Sequence, residues 1–282
     1  MPVEPPVVSP RTLDEAYGLL AGAPHRPIAG GTDLMVQLTG EMGPPPERVL
    51  DLWRLDELRG IARRDHAVEL GALSTFTAIR RSPVCQEHLP ALVEAAATIG
   101  ALQIQHRGTL GGNVMNASPA GDSLPVLLAL DAVLVVGGRG GEREVAAADF
   151  WPAYRRTAAR PDELLLRVRI PLVPGREQRF RKVGTRRAQA ISKVVVALSW
   201  RDTETWRDVR IALGSVAPVP VRVAEAEAAL EGRPRDPASV EAAVEALGAA
   251  IHPIDDVRST AAYRREASRR VLRRLLSEAV IP

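Results

Sequence analysis

The sequence predicts an α+β fold in two parts: a two-lobed first domain over residues 1–173, then a smaller α+β domain over residues 174–282. Three observations lead there. Near the N-terminus, short strand-like runs alternate with a helical stretch, as in a βαβ-like unit. Beyond Pro171-Leu172-Val173-Pro174-Gly175, three strand-like runs come first and three helical runs follow, which implies a layered domain with a three-stranded antiparallel sheet plus helices. At 282 residues the chain can hold one large domain or two modest ones, each with its own core.

Taken in order, Thr12-Leu13-Asp14-Glu15 reads as a capping box opening a helix to about Leu20, with Gly22 just past its end. Pro27-Ile28-Ala29 is a short strand, Gly30-Gly31-Thr32 a turn, and Asp33 to Leu38 a helix with an acidic first turn. Pro44-Pro45-Pro46 cannot be helical and introduces the strand Val49 to Leu52, completing an N-terminal lobe of about residues 1–57. The second lobe, about 58–173, brings a strand at Val68 to Gly71, a helix capped by Ser74 or Thr75 and running through Arg80, and a helix at Pro90 to Ala97. Leu124 to Leu130 reads as helix and Val133 to Val136 as a buried strand. Gly137-Gly138-Arg139-Gly140-Gly141 resembles a dinucleotide glycine motif only superficially, because charged residues and an alternating run follow it; a hairpin turn is expected. Leu164 to Ile170 alternates as a strand and stops at Pro171.

In the second domain the strands are Phe180 to Val183, Ser192 to Trp200 and Trp206 to Leu213, the last two joined by the turn Arg201 to Thr205. Helices are expected at about Arg222 to Leu230, Ala238 to Ala250 and Thr260 to Ala279. On the last, Tyr263, Ala267, Val271 and Leu275 recur every four residues with Leu272 and Leu276 beside them, which makes one buried stripe. Arg264, Arg265, Arg269, Arg270, Arg273 and Arg274 flank it as a solvated face or a docking surface for an acidic partner.

Composition excludes several functions. With 37 basic against 34 acidic residues, the net charge is only +3, and no concentrated basic stripe points to nucleic acid. No apolar run approaches the roughly twenty residues that cross a bilayer, and the first residues lack the signature of an export signal, so a cytoplasmic location is expected. The single cysteine, Cys85, excludes an internal disulfide and argues against an iron–sulfur cluster on this chain. The five histidines are scattered without metal-site spacing. No hydrolytic motif or acid/base pair stands out, so no catalytic residue and no metal ligand is assigned.

Chemistry is carried instead by two glycine loops, Ala29-Gly30-Gly31-Thr32-Asp33 and Thr109-Leu110-Gly111-Gly112-Asn113, the second continuing through Asn116 to Asp122. Each is read as the place where a strand-like stretch gives way to a helix or turn. Consecutive glycines let backbone approach a ligand and turn N–H groups toward an anion, and a helix N-terminus adds partial positive charge. Two such loops suit a ligand with a pyrophosphate and a long body, a dinucleotide.

At this spacing the two segments closely resemble the flavin-binding medium subunit of molybdenum hydroxylases, the xanthine dehydrogenase and aerobic carbon monoxide dehydrogenase group. The resemblance extends to Glu163-Leu164-Leu165 through Pro171, Phe180 to Gly184, Ala190 to Val194, Gly214 to Pro220 and the tail from Ser259 to Leu276, almost the whole chain. It implies a first domain of the PCMH/vanillyl-alcohol-oxidase type and noncovalent FAD. Ala29, Gly30, Gly31, Thr32, Asp33 and Leu34 would wrap the pyrophosphate, and Thr109, Gly111, Gly112 and Asn113 would form the opposing cradle. Ser118 and Asp122 would hydrogen-bond polar flavin atoms, Asp122 being alternatively a helix cap ahead of Leu124. Ile99 and Leu165 would contact the rings, against plain core packing, and Lys182 would reach over from the second domain.

Molybdopterin and [2Fe-2S] clusters would lie on a large and a small partner subunit, with electrons leaving to NAD or another acceptor, as in xanthine dehydrogenase. The loop Thr185 to Ile191, which lies over the flavin in related enzymes, here reads Arg186-Arg187-Ala188-Gln189-Ala190, resembling bacterial xanthine-dehydrogenase-like subunits. It lacks the tyrosine expected beside the flavin in the carbon monoxide branch. The rival readings are a non-catalytic flavin-binding assembly protein and a stand-alone flavin oxidase.

Overall fold

Three sheets organise the chain, and the first is built by a parallel crossover. Strands β1 (Val7–Val8), β2 (Arg26–Ile28) and β3 (Val49–Asp51) pair in the order β1-β3-β2, both pairs parallel. Helix α1 (Leu13–Gly22) and helix α2 (Leu34–Thr39) supply the crossovers that parallel pairing requires. Ala16 and Leu20 of α1 enter one apolar cluster with Leu50, Leu52, Leu55 and Leu58. This computed structural model describes residues 5–40, 43–186 and 188–280; the N-terminal Met1-Pro2-Val3-Glu4 stretch and Arg187 of the 185–191 loop lie outside them.

The first helix departs from the expected capping box. Thr12 Oγ1 accepts from the Glu15 N–H, but the Glu15 carboxylate turns to the Arg11 N–H at 2.8 Å. The helix also runs on through Gly22, two residues beyond the expected end, and the two-residue strand β1 is too short to leave a pattern in the sequence.

The middle region is a five-stranded antiparallel sheet in the order β4-β5-β8-β6-β7, built from β4 (Ile61–Arg64), β5 (Ala67–Gly71), β6 (Val133–Gly138), β7 (Gly141–Ala146) and β8 (Leu164–Pro171). Gly138 pairs with Gly141, which has φ +101°, so the glycine-rich stretch is the expected two-residue hairpin turn. Between β5 and β6 lie α3 (Phe76–Arg81), α4 (Pro83–His88), α5 (Pro90–Thr98), α6 (Leu102–Arg107), α7 (Leu110–Asn116) and α8 (Leu124–Ala129); α9 (Ala147–Phe150) follows β7. The second glycine loop thus follows helix α6, not the strand-like stretch expected.

The last sheet has four antiparallel strands, not three: β12-β11-β10-β9, with β9 (Arg176–Val183), β10 (Val194–Arg201), β11 (Arg207–Gly214) and the short edge strand β12 (Val221–Arg222). Arg222 is therefore a strand residue, and helix α10 begins two residues later (Ala224–Leu230), ahead of α11 (Pro237–Ala250) and α12 (Ala261–Ser277). One face of this sheet, through Phe180, Val195, Ala197 and Ala212, shares the core of the middle region. The other, through Val194, Val196, Leu198 and Ile211, packs on helices α10 to α12. Burial on both faces is why β10 is an almost unbroken apolar run.

The buried stripe of α12 is shifted by one residue from the apolar count: Arg264, Ser268, Leu272, Leu275 and Leu276 are inside, while Tyr263 stays 46% exposed. Polar atoms make this possible. Arg264 donates to the Ser215 carbonyl at 2.5 Å and pairs with Asp256, and Ser268 donates to the Arg264 carbonyl. Four of the arginines expected as a solvated or docking face pair within the chain: Arg269 and Arg273 with Glu245 and Glu241 of α11, Arg270 with Glu266 and Arg274 with Glu278.

Candidate functional site

The two glycine loops meet across one cleft of about 1120 Å³ that also takes in the edge of the last sheet. Such a volume exceeds the roughly 300–1,000 Å³ of ordinary small-ligand pockets, as an extended dinucleotide requires. All fifteen residues singled out in the sequence line it: Ala29 to Leu34, Ile99, Thr109, Gly111, Gly112, Asn113, Ser118, Asp122, Leu165 and Lys182.

The first loop leaves the C-terminal end of β2, where ligands collect in open parallel sheets. Gly31 holds φ +77°, a left-handed conformation that favours glycine. A Cβ on Gly30 would lie 1.8 Å from the Arg107 carbonyl oxygen, so this glycine lets the loop touch the backbone just ahead of the second one. The N–H groups of Gly30, Gly31, Thr32, Asp33 and Leu34 donate to no described residue, although the Gly31 and Asp33 carbonyls accept from Met35 and Gln37 as α2 begins. Five adjacent unengaged donors at the start of a helix are what an anion cradle requires.

The second loop is arranged differently. Thr109 caps α7 by accepting the Gly112 N–H at 3.0 Å, its carbonyl accepts the Asn113 N–H, and Leu110 and Gly111 donate to the Ser74 and Ala72 carbonyls at 2.9 Å. These donors are engaged, which corrects the expectation that both loops turn N–H groups to the ligand. Gly111 instead permits contact: its Cβ would meet the Ala72 carbonyl oxygen at 2.6 Å. Gly112 is otherwise open, its Cβ meeting only Thr109 Oγ1 at 3.0 Å. Asn113 accepts from the Ser123 hydroxyl at 2.7 Å, and its side-chain N–H groups donate to no described residue.

At the far end of the cleft Lys182 does cross from β9: its Nζ lies 2.5 Å from Asp122 Oδ2 and donates to the Thr98 carbonyl at 3.0 Å. This pair disposes of the capping alternative for Asp122, since Ser123 occupies the N-cap position of α8, without a side-chain cap bond. Both side chains are over nine-tenths buried, and Asp122 Oδ1 is buried with no hydrogen-bond partner among the described residues. Burial pushes the Asp122 carboxyl above its ordinary value, with Lys182 opposing. A buried orphan acceptor beside a lysine fits a flat heterocycle that carries both N–H and carbonyl groups, as a flavin ring does. Ser118 accepts the Ala120 N–H at 3.3 Å and keeps its own hydroxyl proton to donate. Leu165 is 4% exposed and sits in the central core, whereas Ile99 is half-buried at its edge.

Residues the sequence did not single out also line the cleft. Leu52, Leu58, Leu73 and Phe76 give it an apolar floor, and Asn116, Tyr154 and Arg155 form part of its wall. Gln189 of the 185–191 loop donates its N–H to the Gly100 carbonyl at 3.1 Å, tying that loop to the cleft. Asn116 and Gln189 fall in stretches the sequence marked; Leu52, Leu58, Leu73, Phe76, Tyr154 and Arg155 belong to no spacing that a pattern could reveal. Among the described residues no group of acidic, histidine or cysteine side chains could hold a metal ion, and no helix is long and apolar enough to cross a membrane.

Comparison with known proteins agrees with this geometry. A family described as the FAD binding domain in molybdopterin dehydrogenase matches residues 2–173, and one described as the CO dehydrogenase flavoprotein C-terminal domain matches residues 179–279. The chain is 32% identical over 278 residues to the nicotinate dehydrogenase FAD-subunit of Eubacterium barkeri, covering 95% of this chain and 93% of that one. It is 31% identical over 274 residues to the xanthine dehydrogenase FAD-binding subunit of Escherichia coli O157:H7, covering 95% and 94%. Among solved structures, a chain of carbon monoxide dehydrogenase from Hydrogenophaga pseudoflava superposes with a TM-score of 0.94 at 29% identity, covering 100% of both chains. With more than half its length matched by the first of these families, the chain belongs to the FAD-binding flavoproteins of the molybdopterin dehydrogenases.

Proposed function

We propose that this chain is the electron-exit subunit of a molybdenum hydroxylase. It takes electrons from [2Fe-2S] clusters of a small partner subunit, after substrate is oxidised at molybdopterin on a large one, and delivers them to NAD or another acceptor. The single observation that carries the reading is the cleft itself, with its row of unengaged N–H groups at one end and the buried Asp122–Lys182 pair at the other. FAD bound there supplies the conversion between single-electron donors and a two-electron acceptor.

The residues have separate tasks. Gly30 to Leu34 hold the pyrophosphate through backbone N–H groups, with the Gly112 surface and the Asn113 amide opposite. Ser118, Asp122 and Lys182 fix the ring by its polar edge. Ile99 and Leu165 give it apolar contact, and the 185–191 loop, tied at Gly100, limits access of water and acceptor. Relatives named for nicotinate, xanthine and carbon monoxide chemistry match at nearly the same identity. The proposal therefore places substrate choice on the large subunit, with a purine as the first substrate to try because of the xanthine-dehydrogenase-like 185–191 loop.

Denaturing the purified chain should release a yellow cofactor that chromatography identifies as FAD. Release of FMN alone, or flavin retained on the denatured chain, contradicts the noncovalent dinucleotide. The isolated chain should oxidise no hydroxylase substrate, and co-expression with the large and small subunits should establish turnover. Oxidation by this chain alone, without molybdenum or iron in the preparation, refutes the subunit role.

A further inference from the structure

The anion cradle contains an electrostatic conflict. Asp33 places a carboxylate in the loop whose unengaged N–H groups are proposed to hold the pyrophosphate, and an anion beside it would be repelled. The structure answers this from two other chain segments. Asn116, at the end of α7, donates from Nδ2 to Asp33 Oδ1 at 2.9 Å, and its Oδ1 accepts from Arg155 Nη1 at 3.0 Å. The amide is thus a relay between carboxylate and guanidinium, and it joins the first glycine loop, the helix that grows from the second, and the 151–157 segment.

Two further features point the same way. Asp33 is an exposed residue, yet partial desolvation of its carboxyl pushes it above its ordinary value, and the Arg155 charge is the largest influence pulling it back, ahead of the Asn116 hydrogen bond. Arg155 itself holds φ +51°, in the left-handed region that side-chain-bearing residues rarely adopt, within a tight turn closed by pairing of Ala153 with Arg156. Local strain of this kind persists where surrounding structure over-determines it, and Arg155 lines the cleft.

We propose that Arg155 is a positioning residue for the dinucleotide: through Asn116 it neutralises Asp33 and fixes the two glycine loops at the separation that a pyrophosphate bridges. This rests on the FAD reading above, and it assigns Arg155 a part that neither glycine motif contains. The cation acts on the loop carboxylate and not on the flavin ring, so it controls the affinity of any ligand with the pyrophosphate and leaves ring recognition alone.

The test is a charge-rescue cycle on the full chain stripped of flavin, with FAD binding read by flavin fluorescence. Arg155→Ala should weaken FAD by about fivefold, the scale of a lost interaction between exposed charges. Asp33→Asn removes the charge needing compensation, so in that background the further change Arg155→Ala should alter FAD affinity by less than about twofold. Asn116→Ala, with both charges kept and the relay cut, should weaken FAD as Arg155→Ala does. ADP should follow the same pattern, while riboflavin, which lacks the pyrophosphate, should bind all variants alike. Arg155→Ala binding FAD as the parent does, or weakening it as much in the Asp33→Asn background as in the parent, overturns the inference and leaves the FAD reading standing. A parent chain that binds no FAD removes that reading itself.

Discussion

The two glycine loops look alike in sequence and do different physical work. In the first, Gly30 permits a backbone contact and Gly31 a left-handed turn, and the result is a run of five N–H groups with no acceptor among the described residues. In the second, every N–H from Leu110 to Asn113 already has an acceptor, and Gly111 is there so that the start of α7 can lie against the Ala72 backbone. One loop leaves its donors open; the other satisfies its own within the chain. A Gly-Gly pair therefore marks close approach, and only the hydrogen-bond inventory says whether a ligand or the protein itself is approached.

That contrast can be broken by substitution. The largest effect is expected at Gly30→Ala: a methyl group 1.8 Å from the Arg107 carbonyl oxygen forces the first loop away from the second, and FAD retention should be lost entirely. The purified protein would be colourless by absorbance at the flavin bands. Gly111→Ala should act mainly on the fold. Its Cβ meets backbone at 2.6 Å, so stability should fall by about 1–3 kcal/mol, roughly 2–4 °C of Tm for each kcal/mol, measured by thermal melting of the flavin-free protein. Thr109→Ala removes only the α7 cap bond to Gly112 and should cost about 1 kcal/mol by the same melt. Gly112→Val sharpens the comparison further: its nearest neighbour is a side-chain hydroxyl, so the fold should largely survive, while the added branch enters the cleft and displaces FAD. Full flavin content in Gly112→Val would mean that the wall of the site lies elsewhere.

Much of this was legible in the sequence, and the exceptions share a cause. The glycine loops, the cap residues Thr12 and Thr75, the hairpin at Arg139-Gly140 and the cross-domain reach of Lys182 all follow from local pattern or resemblance. Strands β1 and β12 are two residues long, below what alternation can show. Arg264 and Ser268 were misplaced on α12 because an apolar count excludes polar residues from a core, yet here hydrogen bonds within the chain satisfy them. The Asp33–Asn116–Arg155 relay spans sequence separations of 83 and 39 residues, so no spacing could announce it. Pairing of Arg269 and Arg273 with α11 was hidden for the same reason.

The central claim is that the first loop carries the open donors and the second does not. Amide hydrogen exchange on the flavin-free and FAD-bound chain tests it directly. Amides 30–34 should exchange rapidly without FAD and slow sharply when it binds, whereas amides 110–113 should be protected in both states. Slow exchange at 30–34 without ligand, or FAD-dependent protection confined to 110–113, would contradict the account.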